Sequence, residues 1–83
     1  MRRYFFDMID GDALIPDEEG VELSTPEAAL RESALALADM VKDEALGIDP
    51  GDARHDRQLA IEVRDEHGPV LRASFTFEIK RLQ

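Results

Sequence analysis

No cysteine occurs in the 83 residues of this chain, which excludes a disulfide scaffold and a thiolate metal site and makes a reducing, cytoplasmic setting the expectation. Long hydrophobic runs are missing too. The apolar stretch within Met1 to Ile9 is broken at Asp7, too soon for a signal peptide or a membrane span, so neither export nor membrane association is expected. Positive charge is scarce: ten Lys and Arg stand against nineteen Asp and Glu, a net charge of −9 that opposes approach to phosphate and argues against direct nucleic-acid binding. No repeat, low-complexity tract or Ser/Pro-rich linker divides the chain, so residues 1–83 are expected to form one small α+β domain. A domain of that size buries only about 60 to 65% of its unfolded surface. Its core must be thin, and it must hold itself together by packing or by oligomerising.

The acid is unevenly placed. Residues 1–23 hold two basic against seven acidic side chains, 24–58 four against eight, and 59–83 four against four. Arg3 to Ile9 is dense in β-formers and runs into Asp10-Gly11, a dipeptide suited to the positive φ angles of a type I′ hairpin turn. Ala13 to Ile15 then returns as a short second strand, ended by Pro16 and the Asp17-Glu18-Glu19-Gly20 turn, after which Val21 and Leu23 lead to a helix.

Ser24-Thr25-Pro26-Glu27 is a helix start, with a hydroxyl to accept an orphan amide, proline in the first turn and Glu27 three residues after Ser24. At 100° per residue Leu30, Ala34, Leu37, Val41 and Ala45, widened by Ala38 and Met40, form one stripe for the core. Gly47 is placed to end the helix in a left-handed cap. Leu35, Leu46 and Ala28 fall roughly opposite, a second apolar spot. Ile48 to Gln58, with its Asp49-Pro50-Gly51-Asp52 turn, reads as a solvated loop. Two half-buried antiparallel strands follow: Leu59, Ile61 and Val63 alternate with polar neighbours, Asp65 to Pro69 turns the chain, and Leu71, Ala73, Phe75, Phe77 and Ile79 alternate again. The order ββαββ predicts a four-stranded, mainly antiparallel sheet with one helix packed on one face. In the first strand Tyr4, Phe6 and Met8 point one way while Phe5 and Ile9 point the other, so one of these sets is displayed away from the helix.

The run Arg3-Tyr4-Phe5-Phe6, then Asp10-Gly11, then Asp17-Glu18-Glu19-Gly20-Val21-Glu22-Leu23 ahead of an alanine-rich helix, resembles a family of small uncharacterised bacterial proteins, a domain of unknown function. The similarity extends over nearly the whole chain, including Val63-Arg64-Asp65-Glu66-His67-Gly68. Relatives commonly carry histidine after Tyr-Phe-Phe, where Asp7 stands here, and a Pro-Phe in the last strand, where this chain has Ser74-Phe75. The resemblance implies a stand-alone domain without an assigned activity and brings no catalytic residues with it.

Among candidate chemistries, closely spaced carboxylates suggest a hard cation such as Ca²⁺. Asp10, Asp12 and Asp17 are the candidate ligands, with Glu18, Glu19 and Glu22 nearby, but Leu14 occupies the alternate position where an EF-hand-like loop needs oxygen. The expectation is solvated turn acids and no metal or other cofactor. A carboxylate pair such as Asp7 with Glu62 or Glu78 could work as general acid and base only if burial raised one pKa. His55 in a charged loop and His67 in a Gly-Pro turn read as surface residues. Ser24, Ser33 and Ser74 lack a nucleophile-elbow context, and no Gly-rich phosphate cradle appears. The chain is therefore expected not to be an enzyme. Arg2, Arg3, Arg64, Arg72, Lys80 and Arg81 are the residues a nucleic-acid surface would need, while the acidic N-terminal segment could instead mimic nucleic acid and occupy a basic protein.

The outward side of the first strand and the second helical spot point to association. Phe5, Ile9, Leu35 and Leu46 are the expected interaction surface of a homodimeric binding or scaffold module that recognises a protein partner. The alternatives are cover of Phe5 and Ile9 by the 48–58 loop, a metal-dependent sensor or enzyme built on the N-terminal acids, and the nucleic-acid mimic.

Overall fold

A computed structural model describes residues 1–51 and 54–83. It has β1 (Arg2–Asp10), β2 (Ala13–Ile15), β3 (Val21–Leu23), α1 (Pro26–Leu46), β4 (Arg54–Asp65) and β5 (Gly68–Lys80). The sheet runs β2-β1-β4-β5, with β3 also on β1, and every pairing is antiparallel. This is the α+β architecture expected from the alternation, a helix on one face of an antiparallel sheet, with five strands rather than four. Val21–Leu23 is not a lead-in to the helix but a strand, because the β1 backbone continues past the end of β2 and Arg2, Arg3 and Tyr4 find partners in Leu23, Glu22 and Val21.

The Asp10–Ala13 hairpin closes on Gly11-Asp12, and only Gly11 has positive φ, at 61°. That is the pattern of a glycine-led type II′ turn, not the type I′ turn read from Asp10-Gly11. The charged stretch expected to be loop to Gln58 is strand from Arg54 onward, since Arg54 to Gln58 pair with Lys80 to Thr76. Alternation on β5 continued four residues beyond what β1 can match, and β4 supplies the backbone partner. The expected Asp49-Pro50-Gly51-Asp52 turn lies partly outside the described residues.

Thr25 caps α1, its Oγ1 accepting the Ala28 amide at 3.1 Å, with Pro26 in the first turn. The helix ends at Gly47 with φ −90° and ψ 1°, so the expected left-handed cap does not form; the Gly47 amide instead donates to the Asp43 and Glu44 carbonyls. The packing stripe also differs from the one read by hydrophobicity. Ala29 and Ser33 are buried and Ala36, Leu37 and Met40 pack beside them, whereas Leu30, Ala34, Ala38 and Ala45 are exposed. The contact face is rotated by about one residue, or 100°, because the helix seats closely over buried Tyr4, Ile61 and Val63 and small side chains at 29, 33 and 36 permit that approach.

Tyr4, Phe6 and Met8 face the helix; Phe5, Asp7 and Ile9 face away. The fully buried apolar set is small: Tyr4, Ala29, Leu59, Ala60, Ile61 and Val63. The outline is long, 52 × 20 × 16 Å with a radius of gyration of 14.8 Å, against about 12 Å for a compact chain of this length. The excess comes from β4 and β5. β1 reaches only to Leu59 on β4, so Arg54–Gln58 and Thr76–Lys80 continue as a two-stranded arm.

Candidate functional site

The N-terminal acids make a network rather than a cluster. Between β2 and β3, three residues of β1, Phe5 to Asp7, face five of the returning chain, Pro16 to Gly20, so the return strand bulges there. Asp17 repairs the broken ladder. Its Oδ2 accepts the Phe6 amide at 3.1 Å, while Oδ1 accepts the Glu19 and Gly20 amides, each at 3.1 Å. The Asp17 amide donates to Asp7 Oδ1 at 2.9 Å, and Arg64 joins both halves by donating from Nε to Asp7 Oδ2 and from Nη2 to the Asp17 carbonyl, each at 2.9 Å. Burial by itself would raise the Asp17 pKa, but the Phe6, Gly20 and Glu19 amides and the nearby Arg64 charge together hold it below the ordinary carboxylate value.

Arg64 also covers Phe5, its guanidinium carbon 4.4 Å from the ring centroid. Gly20, at φ 71°, also lies against that ring, and an added Cβ would sit 3.0 Å from Phe5 Cδ1 and Cε1. Phe5 is therefore covered by Arg64 and the Gly20 turn, and the expected covering loop is strand from Arg54 onward. Its neighbour Ile9 is half-buried on the same face, whereas Leu35 and Leu46 are exposed on the helix. The four residues expected to form one surface thus lie on separate parts of the molecule.

Asp7 and Glu62 stand directly opposite one another, but each holds an arginine: Arg64 on Asp7 at 2.9 Å, and Arg72 on Glu62 at 3.2 Å. Glu78 lies in the arm, opposite Asp56 and away from Asp7. Of the candidate ligands, Asp17 is engaged by three amides and Asp12 is exposed in the hairpin turn; among the described residues no group of three His, Asp or Glu is arranged to hold a metal. Asp10 lies near Arg57, 3.5 Å away. His55 is not in a loop: it sits on β4, 2.7 Å from Glu44 of the helix and edge-on to Phe77 at 5.7 Å. His67 is exposed in the β4–β5 turn, and Ser33 Oγ donates to the Leu30 carbonyl at 2.6 Å. Of the basic residues considered for nucleic acid, Arg2, Arg3, Arg64 and Arg72 each pair with an acid.

The other notable surface borders β5. This outermost strand is thirteen residues long, and beside it Ala34, Leu37, Ala38 and Val41 of α1 meet Ala73 and Phe75 in an apolar groove of about 380 Å³. Phe75 is 43% exposed and Leu30, one turn before Ala34, is 60% exposed. Reading the helical stripe as core found these side chains but placed them inside the chain. The groove exists because the helix is rotated and β5 is the edge of the sheet.

The family model for a domain of unknown function (DUF6894) matches residues 3–76, from the first strand into the arm. The chain belongs to the DUF6894 family. Its match spans β1, the Pro16–Gly20 bulge, the helix and most of β5, so both the network and the groove fall within the DUF6894 region. No curated protein and no solved structure matches the chain. Among the described residues no helix is long and apolar enough to cross a membrane.

Proposed function

We infer that this DUF6894 chain is a non-enzymatic binding module that associates with protein through the β5 edge and the apolar groove beside it. The observation that carries this reading is the continuity of the two: a thirteen-residue outer strand, whose backbone can pair with another strand, lies next to Ala34, Leu37, Ala38, Val41, Ala73 and Phe75. An added strand would obtain specificity from the groove and affinity from main-chain hydrogen bonds. The absence of an enclosed polar cleft at this surface favours recognition over turnover, since the groove is lined by aliphatic and aromatic carbon. The paired carboxylates support the same reading, because Asp7, Asp17 and Glu62 are engaged in holding strands together.

A photoreactive phenylalanine analogue at Phe75, compared with one at Glu18 on the opposite side of the sheet, tests the reading in living cells. Protein adducts specific to position 75 are the expected result. Equal labelling at both positions, or none at 75, would overturn it.

A further inference from the structure

We propose that the partner on this surface is a second copy of the chain, joined by antiparallel β5–β5 pairing about a twofold axis at Phe75. This rests on the reading of the β5 edge as the interaction surface. A twofold contact requires one surface to complement itself, so each residue must face a suitable residue at the same distance beyond the axis. β5 meets that requirement about Phe75. On the helix side Phe75 meets the partner's Phe75, Ala73 meets the partner's Phe77, and Leu71 meets the partner's Ile79. On the opposite side Ser74 meets the partner's Thr76 and Arg72 meets the partner's Glu78, giving two opposite-charge pairs by symmetry.

Neighbouring registers do worse. An axis at Ser74 places Arg72 against Thr76 and Glu78 against Val70, with no charge pair. An axis at Thr76 places Arg72 against Lys80, a like-charge contact. Within one chain Glu78 faces Asp56, which Arg54 already engages at 2.6 Å, and Glu78 itself enters no ion pair among the described residues, so a cation from the other copy would give it one.

The long outline points the same way. Two strands by themselves form a marginal ribbon, and β4 and β5 run beyond β1 as a pair from Arg54–Gln58 and Thr76–Lys80, with no third strand beside them and with Glu44 of the helix reaching His55 and Arg57. In the Phe75-centred register, Thr76–Lys80 of each copy lies beside residues 70–74 of the other, which are backed by the body of that subunit's sheet. The axis stands perpendicular to the joined sheet, so both helices lie on one face. Their groove-lining sides meet above the seam, covering the exposed Leu30, Ala34 and Ala38 and the half-buried Val41 that the isolated chain leaves beside β5.

Native mass spectrometry and sedimentation of the full chain should give twice the chain mass, with Glu78→Arg weakening association roughly tenfold or more as two attractive pairs become repulsive while the Arg72–Glu62 pair within each chain is kept. The swapped variant Glu62→Arg/Arg72→Glu/Glu78→Arg, which keeps an opposite-charge pair between positions 62 and 72 within each chain, should restore the dimer. Because the chain has no cysteine, Phe75→Cys should form an intermolecular disulfide on mild oxidation, whereas Val70→Cys, about ten residues out of register with its own copy, should not. Circular dichroism establishes that each variant is folded. A wild-type monomer, a swap that fails to restore association, or disulfide formation at 70 but not 75 would overturn the proposal. The photochemical experiment separates the two readings: adducts at position 75 with a different protein would retain the binding-surface reading while rejecting the second copy, and no adduct there would reject both.

Discussion

The two edges of the sheet are built on opposite plans. On the β2/β3 side the edge is broken into two three-residue strands by Pro16 and a bulge, and a freed β1 amide is taken by Asp17 rather than offered to another chain. On the β5 side the strand is continuous, its proline is confined to position 69 near the turn, and exposed apolar side chains flank it. The difference teaches that acidic residues can blunt an edge as well as solubilise it. Asp17 does this through a carboxylate that completes the ladder from its own strand, leaving the opposite edge as the one suited to pairing.

The largest effect should come from undoing that repair. Asp17→Ala leaves the part-buried Phe6 amide without its acceptor and frees the Glu19 and Gly20 amides, so the expected loss is about 2–3 kcal/mol in urea unfolding. A change below about 0.5 kcal/mol would show that the bulge is held elsewhere. Next comes Gly20→Ala, in which the methyl group must adopt a left-handed backbone and press on Phe5 at 3.0 Å; a loss of about 1–2 kcal/mol is expected from the unfolding midpoint. Neither substitution touches β5, so association measured at a temperature where both variants remain folded should be retained.

The Asp17 carboxylate also gives the closed edge a pH signature. Its pKa is lower in the folded chain than in the unfolded one, so its stabilisation is fully present above its ordinary value near 3.8 and is lost as pH falls through the lower folded value. Asp17→Asn should be less stable at pH 7, yet its stability should fall less between pH 5 and pH 2. Thermal unfolding curves for the two proteins should therefore converge in acid. Parallel curves over that range would remove Asp17 from the acid response.

Much of the fold was legible because period-two alternation on Leu59–Val63 and Leu71–Ile79 matches one sheet face, and Thr25-Pro26 marks a helix start with few competing readings. β3 was obscured by its length, since Val21–Leu23 carries too little pattern to distinguish a strand from a connector. Arg54–Gln58 was obscured by charge; its evidence lies in the length of its partner β5, not in its own side chains. At the candidate site, hydrophobicity correctly marked Leu30, Ala34 and Val41 as wanting cover but could not say whether that cover lies inside the chain. Periodicity describes a surface, whereas its neighbour is set by long-range pairing. The role of Asp17 was hidden for the same reason: a turn carboxylate and a carboxylate that completes a strand look alike until Phe6 is brought beside it.

The smallest expected effect gives the sharpest comparison between apolar patches on the helix. Leu35 is 55% exposed, nearly as much as Leu30 at 60%, so exposure alone makes them equivalent association sites. Their positions differ: Leu30 lies one turn from Ala34 on the groove side, while Leu35 is turned about 100° or more from Ala34, Leu37 and Val41. Leu35→Asp should change stability by less than about 0.5 kcal/mol and leave the sedimentation profile unchanged. Leu30→Asp, with similarly small monomer destabilisation, should weaken association by placing a carboxylate beside the apolar seam. If Leu35→Asp dissociates the assembly and Leu30→Asp does not, the contact lies on the far side of α1 and the β5 edge is not its centre.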